Sequence, residues 1–359
     1  MRISIDATSL LLRSAGVKNY VYHWIRALQQ DQTQHTITAF PALGEIGGLD
    51  HERSVLTPFE TYPRIALLHF VNVRYNPAIN WLMRGVDVFH ASNLVRNIPR
   101  GPKLTATLYD MTAKLFPQFH TAGNVRAELS FHERVLKRAD GLIAISQSAK
   151  DDAVRLLGLD PDRIVVIYPG VDERFFNAVP APSPKPYVLF VGTIEPRKNV
   201  DTLLDAWTSL RAELRETFDL VIAGPIGWAS GPTVARLHSR IPGVRVAGYV
   251  AESDLPALTA GATAFVYPSL YEGFGFPVAQ AMAAGVPVIT SNTSSLPEIT
   301  AGSAVLIDPR SANELAAALE RMLTNPTVRS ELGEAGRRIA RSYTWRSTAI
   351  QSAEFFSNV

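Results

Sequence analysis

Tyr267-Pro-Ser-Leu-Tyr-Glu-Gly-Phe-Gly-Phe-Pro-Val-Ala-Gln-Ala-Met-Ala-Ala-Gly-Val-Pro-Val-Ile-Thr290 contains a strand end, a glycine-rich loop, a helix and the start of another strand. The helix is expected to open near Pro277, since proline suits a first helical position, and to end at Gly285, since glycine suits the residue after a helix. Gly273 and Gly275 let the backbone come close to a ligand. Amides at the helix start favour anionic oxygens, and Glu272 in the loop is placed to accept hydrogen bonds from hydroxyls.

Reading outward, the same alternation fills the C-terminal half. Residues 188–191, 220–223, 244–247, 264–267, 286–290 and 304–307 are short runs rich in Val, Ile and Phe, as buried parallel strands should be. Helix-length segments such as 199–214 and 314–324 lie between them. Such alternation predicts a doubly wound α/β sheet that binds ligands at the C-terminal ends of its strands. The N-terminal half reads likewise, with strand candidates at 3–5, 36–40, 86–90, 104–108, 142–145 and 164–167. A helix is expected after Gly16, with Val17, Tyr20, Val21, Trp24 and Leu28 on one face as core. Pro180, Pro182, Pro184 and Pro186 read as an extended linker. The expected division is therefore a domain at 1–178, a linker at 179–187, a second domain at 188–342 and a C-terminal segment at 343–359.

Bulk properties set limits. The chain has 359 residues, 47% hydrophobic and 19% charged, which suits two packed domains and not a disordered protein. A net charge of +2 argues against nucleic acid as a partner. Having no cysteine, the chain has neither disulfides nor thiolate chemistry. Asp6 and Arg13 interrupt what would be a secretory signal, and no apolar run reaches the ~18–20 residues of a membrane span. A cytoplasmic location is expected. One segment, 62–84, mixes Arg64, Arg74 and Arg84 with aromatic and aliphatic residues and has no acid, so peripheral membrane contact is an expectation too.

The stretch around Glu272 resembles the hallmark of glycosyltransferase family 4, the retaining GT-B enzymes whose motif is Glu, seven residues, Glu. The likeness extends in order through Leu142-Ile-Ala-Ile-Ser146, Tyr168-Pro-Gly-Val-Asp172, Gly192-Thr-Ile-Glu-Pro-Arg-Lys-Asn199, Ala223-Gly224 and Leu306-Ile-Asp-Pro309. The resemblance implies two Rossmann-like domains facing a central cleft, the first binding acceptor and the second the nucleotide-sugar donor. By it, Arg197 and Lys198 grip the donor pyrophosphate, for which a planar guanidinium fork and a compact ammonium are well suited. Gly16 turns its amide towards the same phosphates. The implied donor set is Gly16, Arg197, Lys198, Glu272, Gly273, Phe274, Gly275, Phe276 and Gln280, and the implied catalytic set is Glu272, Arg197, Lys198 and Asp110. The run 343–356 resembles a C-terminal helix that crosses back to the first domain.

Two positions depart from the family pattern. Gln280 stands where the second glutamate is expected, so any ribose contact is made by a neutral amide. Tyr109-Asp110 stands where the family often has His-Asp, which leaves no imidazole there. His90, His120 and Glu298 are further polar candidates. With no metal-ligand spacing and no Asp-x-Asp, neither a metal nor another cofactor is expected. The form Gly-Thr-Ile-Glu-Pro-Arg-Lys-Asn is similar to mannosyltransferase-like members. It suggests transfer of mannose from GDP-mannose, with UDP-hexoses and dTDP-rhamnose as the other donors left open, to a glycan or lipid-linked saccharide in polysaccharide biosynthesis. The rival readings are a nucleotide-sugar epimerase, a glycan phosphorylase and a non-catalytic binder of sugar nucleotides. A phosphorylase needs a pyridoxal lysine, and the second half offers only Lys185 and Lys198.

Overall fold

Each strand expected from the sequence is present in the computed structural model, which describes residues 1–14, 16–30, 34–44, 46–73, 76–92, 94–228, 230–239 and 241–359. The chain divides into two compact units, residues 1–117, 121–170 and 344–359 in the first and residues 118–120 and 171–343 in the second. Each unit is built on a six-stranded sheet in which all recorded pairings are parallel.

The first sheet comprises β1 (Arg2–Asp6), β2 (Thr36–Phe40), β3 (Val88–Ala91), β4 (Lys103–Leu108), β5 (Gly141–Ala144) and β6 (Ile164–Val166). Its order is β2-β1-β3-β4-β5-β6. Helix α1 (Gly16–Gln30) buries Tyr20, Val21, Trp24, Ile25 and Leu28, the face that helical spacing predicts. Further on lie α2 (Pro58–Val71) and α3 (Ala78–Leu82), and Arg74 between them lies outside the described residues.

The second sheet comprises β7 (Tyr187–Val191), β8 (Asp219–Ala223), β9 (Val244–Gly248), β10 (Ala264–Tyr267), β11 (Val288–Ser291) and β12 (Ala304–Ile307), in the order β12-β11-β10-β7-β8-β9. Leu189, Phe190, Val221, Ile222, Phe265, Val266 and Ile289 are fully buried in its core. Apolar residues on both faces of a strand are what a parallel sheet covered by helices on each side demands. The strand order reverses between β7 and β10, and the crevice at the carboxyl ends of two such strands is where open α/β sheets bind ligands.

Two expectations differ from the structure. Residues 199–214 form two helices, α4 (Val200–Ser209) and α5 (Ala212–Thr217), separated at the extended Leu210. Thr208 and Ser209 turn their hydroxyls onto the carbonyls of Leu204 and Ala206, at 2.9 and 2.8 Å, a competition that favours ending a helix. The change from one unit to the next falls at Gly170/Val171 and not at the prolines. The proline-rich segment lies on the second unit, where the Ala181 amide donates to Ala257 O at 3.0 Å. Extended chain of this kind packs along a helix end as readily as it spans two domains. The Val171 amide donates to Tyr343 O at 2.9 Å, so entry into the second unit and exit from it are joined.

Later helices include α6 (Phe276–Ala283), α7 (Leu296–Thr300), α8 (Pro326–Ala340) and α9 (Trp345–Asn358), with the expected helix at 314–324 present as Ala312–Thr324 between α7 and α8. The ninth belongs to the first unit, where Trp24 Nε1 donates to Ser352 Oγ at 2.9 Å and Phe356 packs against Trp24 and His90.

Candidate active site

Arg197 and Lys198 follow β7, and Glu272 follows β10, the two strands that flank the reversal of the second sheet. Residues far apart in sequence thus meet at one crevice. Lys198 Nζ donates to Glu272 Oε1 at 2.6 Å and to the Tyr267 hydroxyl oxygen at 2.6 Å. Arg197 Nη1 lies 3.0 Å from Glu272 Oε2 and donates to Tyr271 O at 2.7 Å, while Nη2 donates to Glu195 Oε1 at 2.7 Å. Ser269 Oγ donates to Glu272 Oε1 at 2.6 Å.

The electrostatics follow from burial. Glu195, Lys198 and Glu272 are all buried. Burial alone would raise the Glu272 carboxyl, but the charges of Arg197 and Lys198 and the bonds from Lys198 and Ser269 outweigh it and bring it down to about 2. Burial and the Arg197 charge push the Lys198 ammonium down, against the pull of Glu272 and Glu195. Tyr267 is held protonated by burial and by the nearby Glu272 charge.

Glu272 is already engaged, because Oε1 takes two hydrogen bonds and Oε2 is ion-paired with Arg197. A carboxylate has about four lone-pair sites, which leaves one on Oε2 for a hydroxyl. Arg197 is itself part of the fold, since it ties Tyr271 O and two carboxylates together.

The loop backbone is fixed by residues that sequence reading passed over. Glu272 N donates to Ser294 Oγ at 2.9 Å, and Ser295 Oγ donates to the carbonyls of Glu272 and Phe274, each at 3.0 Å. Asn199, left-handed at φ 59°, donates to Pro268 O at 3.0 Å and Pro309 O at 2.6 Å. The cue in the sequence was Ser294-Ser295 just before Leu-Pro-Glu298, a polar pair with no evident use. Gly275 caps α6 at φ 97°, a left-handed conformation that favours glycine, and a Cβ there would also displace Leu296 Cδ2, 2.8 Å away.

Of the other expected residues, Gly273 lines the same buried loop and Phe276 is half-buried at the helix start. Phe274 is turned into the core, edge-on to Phe276 and Tyr343, so its ring is no ligand contact and only its backbone serves the loop. The Gln280 side chain is half-buried on α6, and no hydrogen bond engages its amide among the described residues. Glu298 is half-buried on α7, and its charge adds to burial in raising Tyr343 to about 12.

The first unit holds Gly16 and Asp110. Gly16 is exposed at the first position of α1, with open space about it. Asp110 Oδ1 accepts from Thr112 N at 2.9 Å and Thr112 Oγ1 at 2.6 Å, which fixes the turn after β4. Burial, then the proximity of Tyr20, push the Tyr109 hydroxyl well up, so it remains a donor. His90 is a core residue and not a site residue. It is held between Thr105 Oγ1 at 3.0 Å and Thr107 Oγ1 at 2.9 Å, and burial brings it down to about 3. His120 belongs to the second unit, its ring stacked on Trp228 at 6.3 Å. A cavity of about 620 Å³ beside β2, lined by Arg26, Ile37 and Leu43 among others, contains none of the expected site residues. Among the described residues no group of three or more His, Asp or Glu side chains is placed to hold a metal ion.

Known proteins resemble this chain in sequence and in fold. The profile of the family described as "Glycosyltransferase Family 4" matches residues 14–175, and that of "Glycosyl transferases group 1" matches residues 171–339. The O-antigen chain mannosyltransferase B of Escherichia coli is 31% identical over 76% of this chain and 75% of its own length. The serotype-specific mannosyltransferase WbdA of Escherichia coli is 30% identical over 62% of this chain, which spans only 29% of WbdA. Among solved structures, HepE of Anabaena in complex with UDP-glucose superposes with a TM-score of 0.72 at 18% identity, covering 100% of both chains. The buried cluster at the β7/β10 crevice therefore sits in a chain that belongs to glycosyltransferase family 4, has the GT-B fold and counts mannosyltransferases among its relatives.

Proposed function

We propose that the chain is a retaining mannosyltransferase that takes its sugar from GDP-mannose and adds it to a glycan or lipid-linked saccharide. It would act in the cytoplasm or at the inner face of a membrane. The observation that carries this reading is the buried Arg197–Lys198–Glu272 cluster at the carboxyl ends of the strands where the sheet order reverses. The mannosyltransferase relatives support the choice of sugar.

Two fixed cations in a buried setting stabilise the negative charge that develops on a departing nucleoside diphosphate. In the reaction proposed, the bond from the sugar C1 to phosphate oxygen breaks as a bond from the acceptor hydroxyl oxygen forms on the same face. The acceptor proton passes to the released phosphate, so no protein nucleophile is needed. Glu272 holds both cations in place and has one remaining lone-pair site for a donor hydroxyl, while the Gln280 amide meets the ribose. Arg197 and Lys198 take the role that a divalent ion plays in metal-dependent transferases, and no cofactor is required.

Incubation with GDP-mannose, UDP-glucose and dTDP-rhamnose, with and without chelator, tests the proposal through nucleoside diphosphate release and the anomeric configuration of the product. The expected result is chelator-resistant release from GDP-mannose with retained configuration. An inverted product refutes the mechanism, turnover of another donor alone refutes the sugar assignment, and no release from any donor refutes transfer altogether.

A further inference from the structure

The cluster at the β7/β10 crevice is balanced from within. Arg197 and Lys198 bring two positive charges to it and Glu195 and Glu272 two negative ones, while Tyr267 is held protonated. Glu195, Lys198 and Glu272 are buried, so water screens these charges little. A nucleoside diphosphate calls for surplus positive charge, which a neutral cluster does not offer. Both ends of the Arg197 fork are taken as well. Nη1 faces Glu272 Oε2 at 3.0 Å and Tyr271 O at 2.7 Å, and Nη2 donates to Glu195 Oε1 at 2.7 Å. A phosphate can share this guanidinium only where one partner gives way.

The two carboxylates are not equally held. Glu272 is bonded by Lys198 and Ser269 as well as by Arg197, and its amide donates to Ser294, so it keeps its place when Arg197 changes partner. Among the described residues the side chain of Glu195 is bonded by Arg197 alone. The backbone there is fixed independently of the carboxylate, since the Lys198 amide donates to Glu195 O at 3.0 Å. A residue needed only to orient Arg197 would do so as a neutral amide. A buried carboxylate at that position adds a charge that repels the anion the site is proposed to bind.

We propose that Glu195 is an internal counter-ion that competes with the donor diphosphate for Arg197. It holds the Nη2 edge of the guanidinium before the donor binds, yields that edge to a phosphate, and takes it back as the nucleoside diphosphate leaves. Nη1 stays on Tyr271 O and Glu272 throughout, so the exchange moves the Glu195 carboxylate and leaves the loop in place. The use of such competition is release. At neutral pH the departed diphosphate carries more negative charge than it did in the donor, and two uncompensated cations would retain it. The inference deepens the reading above and rests on it for the identity of the anion.

Calorimetry with GDP, UDP and inorganic pyrophosphate, on the parent and on Glu195→Gln, tests the exchange. The amide keeps an oxygen for Arg197 and removes the charge. Glu195→Gln is expected to bind these anions at least ~10-fold tighter, and Glu195→Ala, which removes the bond too, should also gain. In turnover, KM for GDP-mannose and kcat should fall together as release slows. The gain should vanish when Glu195→Gln/Arg197→Ala is compared with Arg197→Ala, because the competition is for that guanidinium. A residue that merely positions Arg197 gives the opposite sign. Binding by both Glu195 variants that is no tighter than the parent's, or absent, overturns the proposal, and so does a gain that survives removal of Arg197. Tighter GDP with an unchanged kcat overturns the role in release. Pyrophosphate carries neither base nor sugar, which keeps the two readings apart. Its tighter binding by Glu195→Gln with no donor turned over by the parent leaves the counter-ion standing and refutes the transferase, while donor turnover without that gain does the reverse.

Discussion

At the scale of single residues, burial decides what each ionisable group contributes. The carboxyl of Glu272 is held at about 2 against an ordinary value of 4.5, so its stabilisation is full above about pH 4.5 and is lost as pH falls towards 2. His90 is held at about 3 against 6.5, so the unfolded chain takes up that proton first and stability is lost as pH falls from about 6.5 towards 3. The two windows can be separated. In urea titrations His90→Gln should flatten the slope between pH 6.5 and 4.5, and Glu272→Gln should flatten it below 4.5, each by at most ~1.4 kcal/mol per pH unit. Unaltered slopes would show that neither group titrates on unfolding as its surroundings demand. Arg197→Ala should lower turnover by about 10²-fold, the scale of losing one preorganised contact to a developing anion. It should also cost about 3 kcal/mol of stability, because buried Glu195 loses its ion-pair partner and Glu272 is left with Lys198 alone. Near-normal turnover would remove Arg197 from the mechanism. At Gln280, a carboxylate would make a charge-assisted bond about twice as strong as a neutral one, offset by repulsion from the donor phosphates. Calorimetry should show Gln280→Glu raising donor affinity by no more than about tenfold, with Gln280→Ala lowering it comparably. Parent-like affinity in Gln280→Ala would mean that the side chain does not reach the ribose.

At the scale of elements, the strands were legible because a strand buried on both faces has to be a short apolar run. Residues 188–191, 220–223 and 264–267 needed no partner to be recognised. The helix over 199–214 was misjudged because its interruption comes from hydroxyls bonding back to carbonyls, which periodicity does not register. Backbone contacts between elements are equally invisible in sequence. Gly224 ends β8 at φ 143°, and a Cβ there would lie 2.0 Å from Gly192 O at the end of β7. Gly224→Ala should therefore destabilise by about 2–4 kcal/mol, combining strain with a forced shift of the strand ends. Gly231→Ala, with open space around the position, should stay within about 0.5 kcal/mol of the parent. Equal denaturation midpoints for the two variants would show that the strand ends are not packed as described.

At the scale of the whole molecule, the C-terminal helix completes the first unit. Phe355, Phe356 and Ala349 of α9 are buried, and Trp24 of α1 bonds Ser352. Deleting residues 344–359 should expose these side chains and the face of α1 they cover, at a cost of about 5 kcal/mol or more. A calorimetric scan should show an early transition for the first unit, and an unchanged scan would contradict the packing. What the sequence determined by itself was the alternation of strand and helix, the glycine-rich loop before α6 and the basic pair after β7, because these are local patterns of apolar period and backbone permissiveness. Only the tertiary structure decided that Arg197, Lys198 and Glu272 meet, since strand order and not chain order puts β7 beside β10. It also decided that Phe274 and His90 are core, because solvent access depends on what packs against a residue from elsewhere in the chain. The same holds for α2: its sequence shows apolar residues with helical spacing, and only the placement of its neighbours shows which of its faces was left outside.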